Sequence, residues 1–217
     1  NSVNGTVTIL NTSFIGNMAG SDGGALHNAG VLNMTNSTLS GNSAERHGGG
    51  LRQNGTRATL TNCTITDNLA DSGNTGFAEG GGINSTGGAV TLHNTVVAGN
   101  FDTPDNLGPG NIHPDISGTV TTLGGNLLGN HNGAAGIADG VHGDLVGTGT
   151  QPIDPALGPL ANYGGTARVH MPRVQSPLID HGDNAAITSP PFDAPPVHDQ
   201  RGAGFARVVD GNGDGEA

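Results

Sequence analysis

Apolar residues alternate with threonine, asparagine and serine in four short segments of the first hundred residues. The segments are residues 7–17 (VTILNTSFIGN), 32–42 (LNMTNSTLSGN), 58–68 (ATLTNCTITDN) and 90–100 (VTLHNTVVAGN). Side chains two positions apart lie on the same face of a β-strand, and β-branched residues favour strands over helices. The alternation therefore predicts short strands that recur along the chain.

Each position keeps one chemical type when the four segments are aligned. The predicted core columns are Ile9, Met34, Leu60 and Leu92, and then Phe14, Leu39, Ile65 and Val97. Two further columns contain asparagine throughout and are predicted to form structural ladders of stacked amides: Asn11, Asn36, Asn62 and Asn94, and then Asn17, Asn42, Asn68 and Asn100. A period of about 25 residues is typical of a stacked repeat protein.

The repeat predicts an all-β fold, namely a right-handed parallel β-helix. This is a single-stranded β-solenoid with about 25 residues per rung. Stacked rungs would lie ~4.8 Å apart, so that identical side chains stand above one another and asparagines can form ladders. The alternative is a disordered chain rich in glycine, asparagine and threonine. Disorder is disfavoured because it would not keep the apolar columns in register.

The regular pattern covers only part of the chain. We expect residues 1–133 to form regular rungs. Residues 134–217 are expected to form irregular C-terminal rungs, a proline-rich crossing at residues 189–196 and an acidic Asp/Gly tail, all in the same domain. Proline cannot donate to a strand ladder, so the crossing is not a central strand.

Several motifs resemble those of known bacterial β-helix proteins. Residues 14–17 (FIGN) and 23–26 (GGAL) are similar to the paired motifs of the polymorphic outer-membrane protein repeats. Residues 157–165, 176–183, 199–202 and 207–215 resemble the C-terminal blocks of right-handed parallel β-helix proteins with a "choice-of-anchor" domain. These resemblances imply a pectin lyase-like β-helix fold and an extracellular or cell-surface location, and they imply little about activity.

Composition and charge narrow the function classes. The chain has a net charge of −11 and contains no lysine, so nucleic-acid binding through a basic surface is not expected. The acidic balance suits a secreted protein or one that binds divalent cations. No segment has the apolar length of a transmembrane span. The single cysteine, Cys63, aligns with Thr12, Ser37 and Thr95, which predicts a small position in the rung.

The clearest candidate metal site lies near the C-terminus. Asp210, Asn212 and Asp214 place oxygen ligands at positions 1, 3 and 5 of a loop with glycine at position 6. This spacing matches the start of an EF-hand-type calcium loop, in which glycine permits the sharp turn. Calcium is therefore the predicted cofactor, and a solvated acidic tail is the alternative reading.

Catalytic chemistry has weaker support in the sequence. A β-helix lyase needs acidic calcium ligands and a basic residue on one face, whereas a hydrolase needs clustered carboxylates. The best cluster combines Arg52 and Arg57 with Glu45 and Glu79, without paired spacing. No catalytic residue is therefore assigned.

We expect a non-catalytic, extracellular structural or adhesive β-solenoid. Residues 1–5 are too few to cover the first rung, so we expect either a second copy that meets it head to tail and builds a surface filament, or an upstream segment of a longer surface protein. Surface glycans are a further predicted partner. The alternative is a carbohydrate-active enzyme, either a polysaccharide lyase or a hydrolase, or a glycan-binding β-helix.

Overall fold

The structure, a computed structural model, describes residues 5–107, 112–187 and 197–207. This part of the chain is nearly all β-structure in parallel sheets, which confirms the predicted all-β class with parallel pairing. Its helices are two three-residue 3-10 turns, Val141–Gly143 and Asn184–Ala186. The strands are β1 (Thr6–Leu10), β2 (Ser13–Ile15), β3 (Met18–Ala19), β4 (Leu26–Asn28), β5 (Val31–Thr35), β6 (Thr38–Ser40), β7 (Ser43–Ala44), β8 (Leu51–Gln53), β9 (Arg57–Thr61), β10 (Thr64–Thr66), β11 (Ile83–Ser85), β12 (Ala89–His93), β13 (Val96–Val97), β14 (Ile116–Thr122), β15 (Leu127–Leu128), β16 (Ala134–Ala135) and β17 (Leu145–Val146).

Equivalent strands of successive repeat copies lie side by side in the sheets, and β14 joins two such series into one sheet. A nine-stranded sheet runs in the order β1-β5-β9-β12-β14-β11-β8-β4, with β16 paired to β14. A six-stranded sheet runs β17-β15-β13-β10-β6-β2, and β3 pairs with β7 in a two-stranded sheet. Every pairing between these strands is parallel, as expected when each copy of a repeat lies beside the next.

The pairing register follows the alignment of the repeats. Ile9 lies opposite Met34, Met34 opposite Leu60, and Leu60 opposite Leu92. Because side chains alternate across a strand, one correct pair in a strand fixes which face every other residue occupies. The apolar column therefore stays on one face through four copies.

The apolar interior receives side chains from both large sheets. Met34, Leu60 and Ile65 are fully buried in it. Ile9, Leu39, Leu92 and Val97 are buried in the same cluster, whereas Phe14 is only half-buried. Phe14 lies in β2, at the end of its sheet, where strand β6 covers it on one side. The core has no Trp and relies on stacked aliphatic residues.

Glycines in the second half of the repeat permit close approach between copies. A Cβ atom at Gly24, Gly49 or Gly81 would collide with the backbone of the following copy, at Gly49, Leu69 and Phe101 respectively. Any larger residue would push two neighbouring copies apart at this corner. The recurring glycine is therefore a packing requirement of the stack.

The extra residues of the third copy form a loop on its corner. Residues 71–82 contain turns and no strand, and Phe77 at the tip is 86% exposed. Fully buried Asp71 holds the loop, because its carboxylate accepts hydrogen bonds from the backbone N–H groups of Thr75 and Gly76. The insertion thus leaves the pairing of β11 with β8 undisturbed.

The described C-terminal residues after Val146 pack beside the stacked copies. After Val146 the described residues contain isolated antiparallel bridges and no further strand. They lie against the outer face of the six-stranded sheet. Ser13 Oγ donates to the carbonyl of Arg168 (2.9 Å), and Thr38 Oγ1 donates to Gln200 Oε1 (2.7 Å). Outward-facing polar side chains of β2 and β6 therefore bind this segment by hydrogen bonds. The repeat copies, by contrast, bind one another through the backbone groups at their strand edges.

Candidate functional site

A chain of amide hydrogen bonds runs through one corner of the stacked copies. It joins exposed Asn17 to the buried residues Asn42, Asn68 and Asn100. Nδ2 of each residue donates to Oδ1 of the next, at 2.8, 2.8 and 2.9 Å. Each Oδ1 also accepts the backbone N–H of the preceding asparagine. One amide side chain thus bonds to two neighbouring copies, as the ladder predicted from the sequence requires.

The ladder ends on a buried carboxylate. Oδ1 of Asp115 accepts both the backbone N–H (3.1 Å) and the Nδ2 (2.9 Å) of Asn100. Its Oδ2 accepts the backbone N–H of Asn130 at 2.7 Å. Asp115 is 2% exposed, and burial raises the pKa of its carboxyl from 3.8 to about 6, while hydrogen bonds from Asn100 and Asn130 oppose that rise. A carboxylate suits this position because it only accepts.

The other asparagine column is not the amide ladder predicted from the sequence. Asn11, Asn36, Asn62 and Asn94 all have positive φ, between 47° and 55°. Asparagine tolerates this left-handed conformation better than most residues. Within the column one amide bond forms, from Asn36 Nδ2 to Asn11 Oδ1 (2.6 Å). The column therefore builds a turn, and Asn36 and Asn94 direct their amides toward the C-terminal segment.

A second polar ladder, which the sequence analysis did not predict, runs beside Cys63. Asn126 Oδ1 accepts the backbone N–H of Thr95 (2.9 Å), and Asn126 Nδ2 donates to Asp144 Oδ1 (2.9 Å). It too ends on a fully buried aspartate. Val96 pairs with Leu127 in the structure, so Asn126 continues the column of Thr95, a register that the irregular spacing after residue 100 did not reveal in the sequence.

Cys63 is a buried part of this second ladder. Its Sγ lies 3.3 Å from the carbonyl oxygen of Thr61 and 3.5 Å from that of Met34. Burial raises the pKa of the thiol to about 12, against smaller opposing effects of nearby backbone hydrogen bonds and Arg207. A protonated, enclosed thiol is a poor nucleophile. Cys63 therefore fills a small interior position.

Charged and polar side chains gather on the outer face of strands β4, β8, β11 and β14. In register, His27 lies opposite Arg52, Arg52 opposite Asn84, and Asn84 opposite Ser117. Arg52 donates to Asn84 Oδ1 through Nη1. This column, together with His47, Glu79 and His113 beside it, is here called the polar flank. Two candidates named from the sequence, Arg52 and Glu79, both contact Asn84 here, Arg52 through Nη1 and Glu79 through its backbone carbonyl.

Glu79 is the carboxylate of the polar flank. Ser117 Oγ donates to Glu79 Oε2 at 2.6 Å, and His113 Nδ1 lies 3.3 Å from the same oxygen. Partial burial favours the neutral acid, but the Ser117 hydroxyl and His113 outweigh it and hold the pKa of Glu79 below its ordinary value. Glu79 is therefore ionised near neutral pH and suits charge stabilisation better than proton donation.

The basic residues of the polar flank repel one another. Burial, and then the charge of Arg52, lower the pKa of His47, so its imidazole is neutral at pH 7. Burial also lowers the pKa of Arg52. The polar flank thus contains a neutral imidazole, a guanidinium and an ionised carboxylate, which are groups that can bind polar hydroxyl-bearing ligands. Glu45 and Arg57 are exposed and take no part in the contacts that hold Glu79.

The predicted metal ligands cannot be placed. Asp210, Asn212 and Asp214 lie outside the residues that the structure describes. Within residues 5–107, 112–187 and 197–207, no three histidine, cysteine, aspartate or glutamate side chains are grouped so that they could hold a metal ion. In the same ranges no helix has the length and apolar character needed to cross a membrane. Calcium binding therefore stays a prediction for the tail.

Comparison with known proteins gives no relative for this chain. No family model, no curated protein and no solved structure matches it.

The buried carboxyl at the end of the first ladder predicts a dependence of stability on pH. The folded chain holds the Asp115 proton up to pH ~6, whereas the unfolded chain loses it near pH 3.8. The free energy of unfolding should therefore fall as the pH rises from 3.8 to about 6. About two pKa units correspond to roughly 3 kcal/mol. Denaturant unfolding at pH 4.5 and pH 7 should show a smaller fall in Asp115→Asn than in the parent.

The matched control is Asp105→Asn, which changes an exposed aspartate. It should keep the pH dependence of the parent, including any contribution from the general acidic charge. The same fall in all three proteins would show that Asp115 does not hold a raised pKa.

Proposed function

We propose that the chain is a right-handed parallel β-helix that acts as a non-catalytic structural or adhesive module. In-register parallel pairing of four repeat copies supports the β-helix, because equivalent strands lie side by side in both large sheets. Two ladders of buried polar groups support the structural role. The motifs that resemble bacterial surface β-helix proteins point the same way.

The ladder that ends on Asp115 is the observation that carries this proposal. Asp71, Asp102, Asp115 and Asp144 are each at most 2% exposed, and each accepts at least one backbone N–H. Carboxylates that accept backbone N–H groups in this way hold turns in place and terminate the ladders of the repeat copies. A hydrolase would instead need carboxylates that face its substrate. The buried acids therefore favour scaffolding.

An extracellular or cell-surface location fits the same proposal. A net charge of −11 would keep an elongated, glycine-rich protein soluble. Calcium at Asp210, Asn212 and Asp214 belongs to the proposal too, because hard oxygen ligands at this spacing suit that ion. The resemblance to outer-membrane repeats and choice-of-anchor proteins supports the location.

End-to-end assembly is the adhesive form of this proposal. In the described part of the chain, β1, β2, β3 and β4 of the first copy each lie at the end of a sheet. A strand at the end of a sheet can pair with another chain, and a head-to-tail contact propagates into a filament. Met18 in β3 is 84% exposed and would lie at such a contact.

Assembly predicts a particle mass that falls on dilution in multi-angle light scattering. Met18→Glu should lower the mass at a given concentration, because it places a charge in the contact. Val174→Glu changes a residue that is 94% exposed elsewhere and should leave the mass unchanged. A monomer mass at every concentration would contradict assembly.

The alternative function, a glycan-binding or carbohydrate-active β-helix, is favoured by the polar flank. Its column crosses four strands about 4.8 Å apart, which suits an extended polymer better than a compact ligand. Arg52, which the buried amide of Asn84 positions, could contact hydroxyl or carboxylate groups, and ionised Glu79 could stabilise a developing positive charge. Nothing in this alternative requires the buried ladders to change.

Turnover of polysaccharides separates the two functions. The parent and an Arg52→Ala/Glu79→Gln variant are incubated with neutral and acidic polysaccharides, and released reducing ends and unsaturated products are measured. The structural proposal predicts no turnover by the parent above that of the variant. Turnover that the double substitution abolishes would overturn the proposal and establish the enzyme.

A further inference from the structure

A cleft of about 600 Å³ lies between the stacked copies and the C-terminal segment. Asn62, Thr64 and Val96 of the repeat copies line it from one side. Residues 169–172, 178–182 and 199–201 of the C-terminal segment line it from the other. Its volume falls within the range of ligand pockets, roughly 300–1,000 Å³.

Three stacked asparagines meet this cleft in the same backbone conformation. Asn36, Asn62 and Asn94 have φ of 52°, 55° and 47° and belong to successive copies. Asn94 holds a main-chain segment: its Nδ2 donates to the carbonyl of Asp183, and its Oδ1 accepts the N–H of Asp183, both at 2.7 Å. At the other end, Asn36 Oδ1 accepts a hydrogen bond from Arg207 Nη1 at 2.7 Å.

The middle asparagine differs from its two neighbours. Asn62 is 6% exposed, yet neither its Nδ2 nor its Oδ1 has a hydrogen-bond partner in the described part of the chain. Burying an amide whose N–H and C=O groups are both unpaired costs desolvation free energy that no hydrogen bond offsets. Both groups are shielded from solvent, but Asn62 lines the cleft, so a rotation of its side chain would let a partner in the cleft satisfy them.

We propose that the cleft binds an extended, uncharged peptide segment through one main-chain amide group at Asn62. Asn94 shows the contact in the same column, with a backbone N–H and C=O bound to one side-chain amide. A peptide at Asn62 would repeat that contact about one strand spacing, ~4.8 Å, away from Asp183. Recognition through the main chain is how extended peptides join existing structure.

The remaining lining combines apolar residues with polar ones that already have partners, which favours uncharged side chains in the ligand. His170 bonds Ser40 and the carbonyl of Gly158, and His181 bonds the carbonyl of Gly143. Val96, Val169, Leu178 and Ile187 supply apolar contacts around the cleft. Arg201 in its wall is paired with Asp199, at 2.6 Å between Nη2 and Oδ2. Specificity would therefore come from the main-chain contact and from small apolar side chains. This inference is independent of the proposed structural role.

The test is a titration of the full chain with blocked tripeptides, followed by NMR. The probes are N-acetylated, C-terminally methylamidated tripeptides of alanine, valine or serine, at concentrations on the order of millimolar because short ligands bind weakly. N-acetylglucosamine offers the same amide on a sugar, and maltotriose offers hydroxyl groups alone. We expect saturable shifts at cleft residues with at least one tripeptide and none with either sugar.

Asn62→Gly is the decisive variant, because glycine keeps the left-handed backbone and removes the amide. It should fold with an unchanged or higher Tm and bind the peptide at least tenfold more weakly. Asn74→Gly is the matched control, since Asn74 has φ of 53° in an exposed loop. It should bind like the parent.

Three outcomes would overturn the proposal. They are the absence of saturable shifts with every tripeptide, equal affinity in Asn62→Gly and the parent, and binding of N-acetylglucosamine in place of the peptides. The last would assign the cleft to an amide-bearing sugar.

Discussion

The stack of repeat copies depends on buried side-chain amides that bond in two directions. Asn42, Asn68 and Asn100 each accept the Nδ2 and the backbone N–H of the preceding asparagine and donate their own Nδ2 onward, so each satisfies one backbone N–H of a neighbouring copy. The last amide of each ladder donates to a buried carboxyl group, that of Asp115 in the first ladder and that of Asp144 in the second. The amide ladders repeat at the strand spacing of about 4.8 Å that parallel backbone pairing gives.

Much of the fold could be predicted because the repeat is a geometric constraint. Alternation predicted strands, and constant spacing predicted parallel pairs such as Leu60 with Leu92. The backbone conformation of individual residues could not be predicted from the alternation or the spacing of the repeat. Asn36 and Asn42 are both repeat asparagines, yet one has a left-handed backbone and the other a ladder position. Asp115 lies after an irregular loop, where the alignment no longer indicates which carboxylate caps the ladder.

Candidate function concentrates where the regular copies meet irregular chain. The polar flank forms because Glu79 and His113 come from loops beside the strand that carries Ser117. The cleft forms because the C-terminal segment binds Asn36 and Asn94 and leaves Asn62 between them. Sequence alignment treats these three asparagines as equal. Their different roles arise from contacts with residues far along the chain, which a local pattern does not contain.

The most direct measurement of this account is the unfolding free energy of Asn68→Ala. Asn68 is fully buried and donates to Leu39, Thr66 and Asn100, so its loss strands polar groups in neighbouring copies. We predict a loss of roughly 3–5 kcal/mol in urea unfolding. Asn132→Ala, at an exposed asparagine, should change the value by less than about 0.5 kcal/mol. Equal, small losses in both variants would contradict the claim that the buried amide ladder holds the copies together.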